Sequence, residues 1–196
     1  MPIAKGEPWG APGEIPEGTV LVDSDAGARA VLAAGPPYPP IGLRGGDLCH
    51  TLGGGGGRLN RGEAVRFTID LGEVVIDGTT YEFVAHLVAR TRLWTRAFVA
   101  MNAQWLGDWN LGPRAHPNDG LLDTYDARLS LGQLLPVRAR LHHGAHLPHP
   151  GIRERRTASL DVDLGRRLPV RLDGEVAAHA RRFTVRVRPD ALLVVA

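Results

Sequence analysis

Leu168-Pro-Val-Arg-Leu-Asp-Gly-Glu175 carries the clearest structural signal in this chain, because an Asp-Gly pair directly follows a strand-like run. A second alternating run covers residues 183–188. An Asp-Gly turn between two alternating runs is typical of a tight β-hairpin. Such a hairpin would hold the carboxylate of Glu175 on a rigid sheet, where it could serve as a general base. Asp-Gly-Glu is also a common surface turn, and that alternative stays open.

Around this hairpin, most of the sequence beyond residue 63 has a strand-like pattern. Short apolar runs are separated by turn residues, and many short strands at such spacing indicate a sandwich or a barrel. Only residues 129–135, with leucines at helical spacing, suggest a helix in this half. The predicted strands cover residues 64–71, 73–76, 80–88, 96–103, 120–127, 133–141, 157–164, 168–172, 183–188 and 191–195.

The N-terminal part has a different pattern, in which short strands precede helices. A strand over residues 19–22 is followed by the N-cap chemistry of Ser24 and by a helix over residues 26–34. A second strand over residues 41–43 leads through Gly46 and Asp47 into a helical turn. These units predict a small α/β part beside the β-rich half.

Five consecutive glycines at residues 53–57 predict a linker, because glycine loses more backbone entropy on ordering than any other residue. We therefore divide the chain into an irregular leader (1–17), an α/β remnant (18–55) and a β-sandwich (58–196). The predicted fold class is mainly β with a small α/β N-terminal part.

Composition excludes several classes of protein. The chain has 196 residues, a net charge of +2 and a single cysteine, Cys49. One thiol rules out an internal disulfide framework, and the scattered charges give no support for nucleic-acid binding. No apolar run reaches membrane-spanning length. We therefore predict a cytoplasmic protein without a transmembrane segment, with peripheral membrane contact as the alternative. Arginine greatly outnumbers lysine, which is typical of a high-GC genome such as those of actinobacteria.

Four segments in the second half share their order and spacing with a known family. They are residues 98–107, residues 113–123, the Gly144-Ala-His146 segment and the Asp-Gly-Glu turn ending at Glu175. Together they resemble the C-terminal half of the diacylglycerol kinase family, the bacterial lipid kinases related to sphingosine kinases. The resemblance covers about the last hundred residues, and it implies the C-terminal β-sandwich of diacylglycerol and NAD kinase-like proteins.

The resemblance implies roles for particular residues. Glu175 matches the catalytic base, which would accept a proton from a lipid hydroxyl as the γ-phosphoryl group of ATP arrives. Asp119 would supply the carboxylate, and His116 and Leu121 the carbonyls, that hold a structural Mg²⁺, a cation that prefers oxygen ligands. Without the family, the Asn118-Asp119-Gly120 stretch is equally well explained as a turn held by its own side-chain hydrogen bonds.

The nucleotide-binding half is only partly matched. The family binds ATP through a glycine-rich loop after a strand, and the resemblance places Asp25 at the aspartate of that loop and Gly46 and Asp47 in the second signature. Asp23, Ser24 and Ala26 stand where the family has glycine, and a carboxylate there repels a triphosphate. The resemblance therefore implies a degenerate and truncated nucleotide half, which makes ATP binding doubtful. The Gly46-Asp47 turn could equally well cap a helix.

A ligand groove is the remaining candidate site, and we assign Asn102, Trp105 and His146 to it. Tryptophans near Asn102 could shelter an acyl chain, or they could simply fill the core. His146 is also one of four histidines between residues 142 and 149, a density that could bind zinc or nickel. A loop contacting the groove is the alternative for these histidines.

Three functions follow as hypotheses. The first is a catalytically degenerate lipid-kinase-like protein that binds a lipid-like or phosphorylated ligand, or a protein partner. The second is an active lipid kinase that uses Glu175 as base and a nucleotide site completed by another chain. The third is assembly as a homodimer through edge strands, suggested by the apolar tail at residues 191–196.

Overall fold

The computed structural model describes residues 9–54 and 57–196, and within them the chain is mainly β. The helices are α1 (Asp25–Leu32), α2 (Asp47–Thr51), α3 (Gly57–Asn60) and α4 (Leu131–Leu141). The strands are β1 (Ala11–Gly13), β2 (Val20–Val22), β3 (Ile41–Leu43), β4 (Ala64–Ile76), β5 (Thr79–Phe83), β6 (His86–Arg90), β7 (Arg96–Met101), β8 (Leu122–Arg128), β9 (Ile152–Thr157), β10 (Ser159–Leu172) and β11 (Glu175–Val195).

Hydrogen bonds join these strands into one continuous sheet. Its main path runs β1-β4-β11-β10-β6-β7-β8-β9, with β5 paired to β4, β3 to β11 and β2 to β3. The β2–β3 and β3–β11 pairs are parallel, and the others are antiparallel. Three strands are long enough to bend, and β11 shifts its register against β4 between Arg188 and Leu192. Such irregularities let a strand change direction within a ladder.

The sheet folds over so that two layers enclose one core, which confirms the predicted β-sandwich. Phe98 on β7 and Phe183 on β11 meet edge to face with ring centroids 5.6 Å apart, although these two strands are not neighbours in the sheet. Leu87 on β6 and Val185 on β11 are fully buried in the same cluster. Alternating apolar residues on the inner faces of the strands therefore form the core.

The N-terminal α/β part packs against the far end of the long strands. Leu43 of β3 and Leu48 of α2 are fully buried in one cluster with Leu71 of β4 and Val194 of β11. The α/β part thus shares a core with the β-rich half. Strand β1 (Ala11–Gly13) lies within the segment that was predicted to be irregular, and it pairs with β4. Residues 1–8 of the leader and 55–56 of the glycine run lie outside the described residues.

The central hairpin forms as the sequence predicts. Leu172, the last residue of β10, pairs with Glu175, the first residue of β11, so the turn between them has two residues. Both turn residues adopt left-handed backbone conformations, with φ 49° at Asp173 and φ 91° at Gly174. Asp-Gly suits this turn because aspartate tolerates a positive φ and glycine adopts it freely.

One predicted strand is wrong. Residues 133–141 form most of helix α4, which also extends beyond the helical segment suggested at 129–135. The side chains of Ser130 and Gln133 form a capping box at its start. A capping box satisfies backbone amides that would otherwise lack partners at a helix N-terminus. The Ser130-x-x-Gln133 spacing was the available sequence signal.

The apolar tail is paired inside the chain. Val194 lies opposite Phe67 of β4 on one side and Ile41 of β3 on the other. The tail is therefore an interior strand of the sheet, and it is not the free edge on which the homodimer hypothesis depended.

Candidate functional site

The hairpin turn is fixed to the rest of the sheet through the side chain of Asp173. Its carboxylate accepts hydrogen bonds from the backbone amides of Val84 (2.9 Å), Ala85 (2.9 Å) and His86 (3.1 Å). The amide of Asp173 in turn donates to the carbonyl of His86 (3.0 Å). Burial raises the pKa of Asp173 to about 6, against the opposing effects of His86 and these amides.

His86 connects this turn to the α/β part. Its Nε2 lies 2.9 Å from Oδ2 of Asp47, while Oδ1 of Asp47 accepts a hydrogen bond from the amide of Gly107 (2.9 Å). His86 is buried, and burial alone would lower its pKa. The hydrogen bond to Asp47 and the charges of Asp173 and Asp25 outweigh burial, so the pKa of His86 is raised. His86 therefore links the hairpin turn to the α/β part through its hydrogen bond to Asp47.

Asp25, the first residue of α1, completes the cluster, and its carboxylate lies at the N-terminus of α2. Its carboxylate accepts hydrogen bonds from the amides of Asp47 (2.6 Å) and Leu48 (3.1 Å), and burial raises its pKa. Gly46 allows this contact, because a Cβ on its backbone (φ 98°) would lie 2.6 Å from Oδ1 of Asp25. The structure thus brings together Asp25, Gly46 and Asp47. Their contacts agree with the alternative of a capped helix turn.

One ligand atom each from Asp25, Asp47 and His86 lies within 4.8 Å of the others, which is a donor set that could hold a metal ion. The Asp25 and Asp47 carboxylates already accept backbone amides. The amide of Gly27 at the start of α1 is likewise bound, by the hydroxyl of Ser24 (3.1 Å). The chain's own side chains therefore occupy amides at both helix starts where a phosphate would have to bind.

Glu175 begins β11 on the exposed side of the turn. Its side chain is 63% exposed and forms an ion pair with Arg29 of α1. Arg29 thereby links the hairpin to the α/β part from the outside. A carboxylate used as a general base must be free to accept a proton, and a guanidinium partner competes for that role.

The predicted Mg²⁺ loop is held together by protein contacts. Oδ1 of Asp119 accepts the amide of Leu121 (3.0 Å), and Oδ2 pairs with the guanidinium of Arg156. Arg156 also lies 3.3 Å from the buried Asp123, which the sequence analysis did not single out. Asp119 is the only carboxylate of the predicted Mg²⁺ ligand set, and Arg156 already pairs with it. A Mg²⁺ ion bound to Asp119 would be repelled by this guanidinium, so the arrangement does not fit a cation site.

The imidazole of His116 accepts the amide of Asn118 (3.2 Å), and its ring lies against Trp9 with centroids 4.5 Å apart. A second buried carboxylate, Asp70, accepts the amides of Gly120 (2.7 Å) and Asp190 (2.9 Å). These contacts favour the alternative of a turn fixed by side-chain hydrogen bonds.

The three residues assigned to a ligand groove make different contacts. Asn102 is buried and donates from its amide nitrogen to the carbonyls of Asp70 (2.9 Å) and Val84 (2.8 Å), so it ties strands to one another. Trp105 stacks on His50 with centroids 4.3 Å apart. His146 lies in the wall of a cavity.

That cavity is apolar and has a volume of about 600 Å³. Its walls come from β6, β7 and β8 and from helix α4, and they include Trp94, Trp109 and Leu111. Tyr125 and His146 also contribute to its walls. The Tyr125 hydroxyl and both ring nitrogens of His146 are buried, and among the described residues none of these atoms has a hydrogen-bond partner. Burial raises the pKa of Tyr125 and lowers that of His146. Both groups are therefore held neutral.

A more polar cleft of about 420 Å³ adjoins the apolar cavity. The two share Arg90, Trp94, Trp109 and Arg138 as wall residues, and the cleft extends to His86 and to Gly174 of the hairpin turn. The apolar cavity therefore leads toward the turn that carries Glu175. The sequence indicated tryptophans near Asn102 and the start of the covering helix, but it gave no signal for His86.

Comparisons with known proteins agree with this architecture. Residues 63–196 match the family model of the YegS C-terminal NAD kinase beta sandwich-like domain. No curated protein matches the chain in sequence. No helix within residues 9–54 and 57–196 has the length and hydropathy needed to cross a bilayer.

Solved structures share the fold. Two structures of proteins from Bacillus anthracis str. Sterne that are named as diacylglycerol kinases superpose with TM-scores of 0.67 and 0.63, each at 12% sequence identity. Both alignments cover 90% of this chain, and they cover 77% and 75% of the respective matched chains. The family model spans more than half of the present sequence. The chain therefore belongs to the family of the YegS C-terminal NAD kinase beta sandwich-like domain.

Proposed function

We propose that this member of the lipid-kinase-like family binds a lipid-like ligand and does not transfer phosphoryl groups on its own. The observation that carries the proposal is the apolar cavity whose adjoining cleft extends to the Asp173-Gly174 turn. An acyl chain in this cavity would place its head group in the cleft, near the turn. In an active lipid kinase that is where the acceptor hydroxyl would have to lie.

The cavity suits a single acyl chain. Its volume of about 600 Å³ lies within the range of small-molecule sites, and its walls are mostly aliphatic and aromatic. Such walls remove the hydrocarbon of an acyl chain from water, which favours binding.

The helix starts at which ATP phosphates would bind support the proposal that the chain does not transfer phosphoryl groups on its own. Phosphoryl transfer depends on positioned phosphates, on neutralisation of their charge and on an oriented acceptor. Here Asp25 and Ser24 occupy amides at the starts of α2 and α1, and two carboxylates, Asp25 and Asp47, line the same region. Carboxylates at such positions repel a triphosphate. Glu175 is held by Arg29, which lowers its availability as a base.

We expect the purified chain to bind a twelve-carbon monoacyl lipid, tested as monolaurin and as dodecyl phosphate, with binding weakened at least about tenfold by Val99→Trp. Val99 lines the cavity and is buried, so an indole at this position fills the space that the acyl chain needs. Calorimetry below the critical micelle concentration measures the affinity. Val176→Trp is the matched control, because Val176 is exposed on β11 away from the cavity.

Circular dichroism verifies that both variants are folded. Failure of both lipids to bind, or equal binding by wild type and Val99→Trp, would contradict the proposed function.

A further inference from the structure

Three arginines line the cleft that adjoins the apolar cavity. Arg90 and Arg138 are wall residues of both spaces, and Arg171 lines the cleft beside the hairpin turn. The guanidinium of Arg90 lies over the ring of Trp94 (4.5 Å), and that of Arg138 lies over Trp109 (5.3 Å). The rings thus orient two of the three cations at the junction of the two spaces.

None of these three arginines forms an ion pair with a carboxylate within the described part of the chain. Arg90 donates to the carbonyls of Thr91 and Arg92 (3.1 Å each), and Arg171 donates to the carbonyl of Gly174 (3.2 Å). Ten other arginines in the same part of the chain do pair with carboxylates: Arg29, Arg44, Arg61, Arg96, Arg114, Arg156, Arg181, Arg182, Arg186 and Arg188. The three cleft arginines therefore keep positive charge that no ion pair among the described residues neutralises, close to the apolar cavity.

The electrostatics of Arg90 agree with this geometry. Burial lowers its pKa, and the nearby charge of Arg171 lowers it further. Arginine stays protonated in proteins, so the pair remains two like charges held close together. An anion between them would remove this repulsion and replace lost hydration with charge-assisted hydrogen bonds.

The remaining charged groups around the cleft leave this positive charge in place. Asp108 is the exposed acid of the cleft wall, and its carbonyl lies 3.1 Å from Nδ1 of His142. His86 lies at the inner end and is paired with Asp47. An adjacent groove on the other side of Arg90 and Arg171 adds Arg92 and Arg166 and has no aspartate or glutamate in its walls.

We propose that the ligand is an amphiphile with one acyl chain and a phosphate monoester head group, with the chain in the apolar cavity and the phosphate between Arg90 and Arg171. Two guanidinium groups match the two charges of a phosphate monoester, and each can donate two parallel hydrogen bonds. A neutral acylglycerol head group would leave both cations unpaired. The inference rests on the proposed function, since it assumes that the cavity holds the acyl chain.

Calorimetry on the full chain tests the head group separately from the tail. We expect dodecyl phosphate to bind at least about tenfold more tightly than monolaurin, and inorganic phosphate to bind far more weakly than either. Arg90→Gln and Arg171→Gln should each weaken dodecyl phosphate binding about tenfold. Arg171 lines the cleft and not the apolar cavity, so Arg171→Gln should leave monolaurin binding unchanged. Arg167→Gln is the matched control, because Arg167 is exposed on β10 and lines none of these spaces.

The outcomes separate the two proposals. Equal affinities for dodecyl phosphate and monolaurin, or no effect of both arginine substitutions, would overturn the anionic head group and leave lipid binding standing. Inorganic phosphate that binds as tightly as dodecyl phosphate would overturn the amphiphile. If neither amphiphile binds, both the head-group inference and the proposed function fail. Thermal melting curves show whether each variant is folded.

Discussion

Replacing Asp173 with alanine is expected to lower the free energy of unfolding by about 3 kcal/mol at pH 7, because buried backbone amides lose their acceptor. The carboxylate binds three consecutive amides, from Val84 to His86, across more than 80 residues of sequence. Without it, these amides are buried without partners, and the turn loses its attachment to β6. Urea unfolding followed by tryptophan fluorescence measures the loss.

Asp77→Ala supplies a matched control within the same chain. Asp77 is also the first residue of an Asp-Gly turn and has the same φ of 49°, but its side chain is exposed. Both substitutions place alanine at a left-handed position, and only Asp173→Ala removes an acceptor from buried amides. Equal losses for the two variants would show that backbone strain, and not the buried hydrogen bonds, accounts for the effect.

The second large expected effect is a pH dependence of stability. The free energy of unfolding should fall as the pH rises from about 4 to above 7. The native pKa of Asp173 is raised to about 6, above the ordinary value of about 4, so the folded state binds this proton more tightly than the unfolded state. Its contribution is complete below pH 4 and is lost as the pH rises through 6. A difference of two pKa units between the folded and unfolded states corresponds to about 3 kcal/mol in the free energy of unfolding.

Other buried groups change stability in the same direction. Burial raises the pKa of Asp123 to about 6, partly offset by Arg156, and the pKa of His86 is raised above 6.5. A histidine with a raised native pKa loses its stabilising contribution as the pH rises through that value. The decline should therefore continue beyond pH 6.

Urea unfolding of wild type and Asp173→Ala at pH 4.5, 6 and 7.5 isolates the contribution of Asp173. The gap between the two proteins should be widest at pH 4.5 and should narrow toward neutral pH. A gap that widens with rising pH would mean that Asp173 is stabilised as a carboxylate, with a native pKa below the ordinary value.

Local sequence signals were sufficient for much of the fold. The Asp173-Gly174 turn and the Ser24 cap of α1 depend on local backbone conformation and neighbouring residues, so they could be predicted from the sequence. Helix α4 was predicted mainly as a strand because its apolar residues also fit a short β run, while its capping box was overlooked. Short apolar runs are ambiguous between the two structures.

The site was harder to predict because its contacts are distant in sequence. Asp119 is neutralised by Arg156, 37 residues away, and Asp173 binds amides 87 to 89 residues away. Asn102 joins β7 to neighbouring backbone instead of lining a groove. The family resemblance assigned Asp25 and Asp47 to one site, but it could not show that their carboxylates are already engaged with backbone amides.

Titration of Mg·ATP into the purified chain by calorimetry tests most directly whether this family member has lost a self-sufficient nucleotide site. Because Asp25 and Ser24 occupy the amides at the starts of α2 and α1, we expect no saturable heat at millimolar nucleotide. Saturable binding that is weakened by Asp25→Ala would contradict the account, and it would support an active lipid kinase with Glu175 as its base.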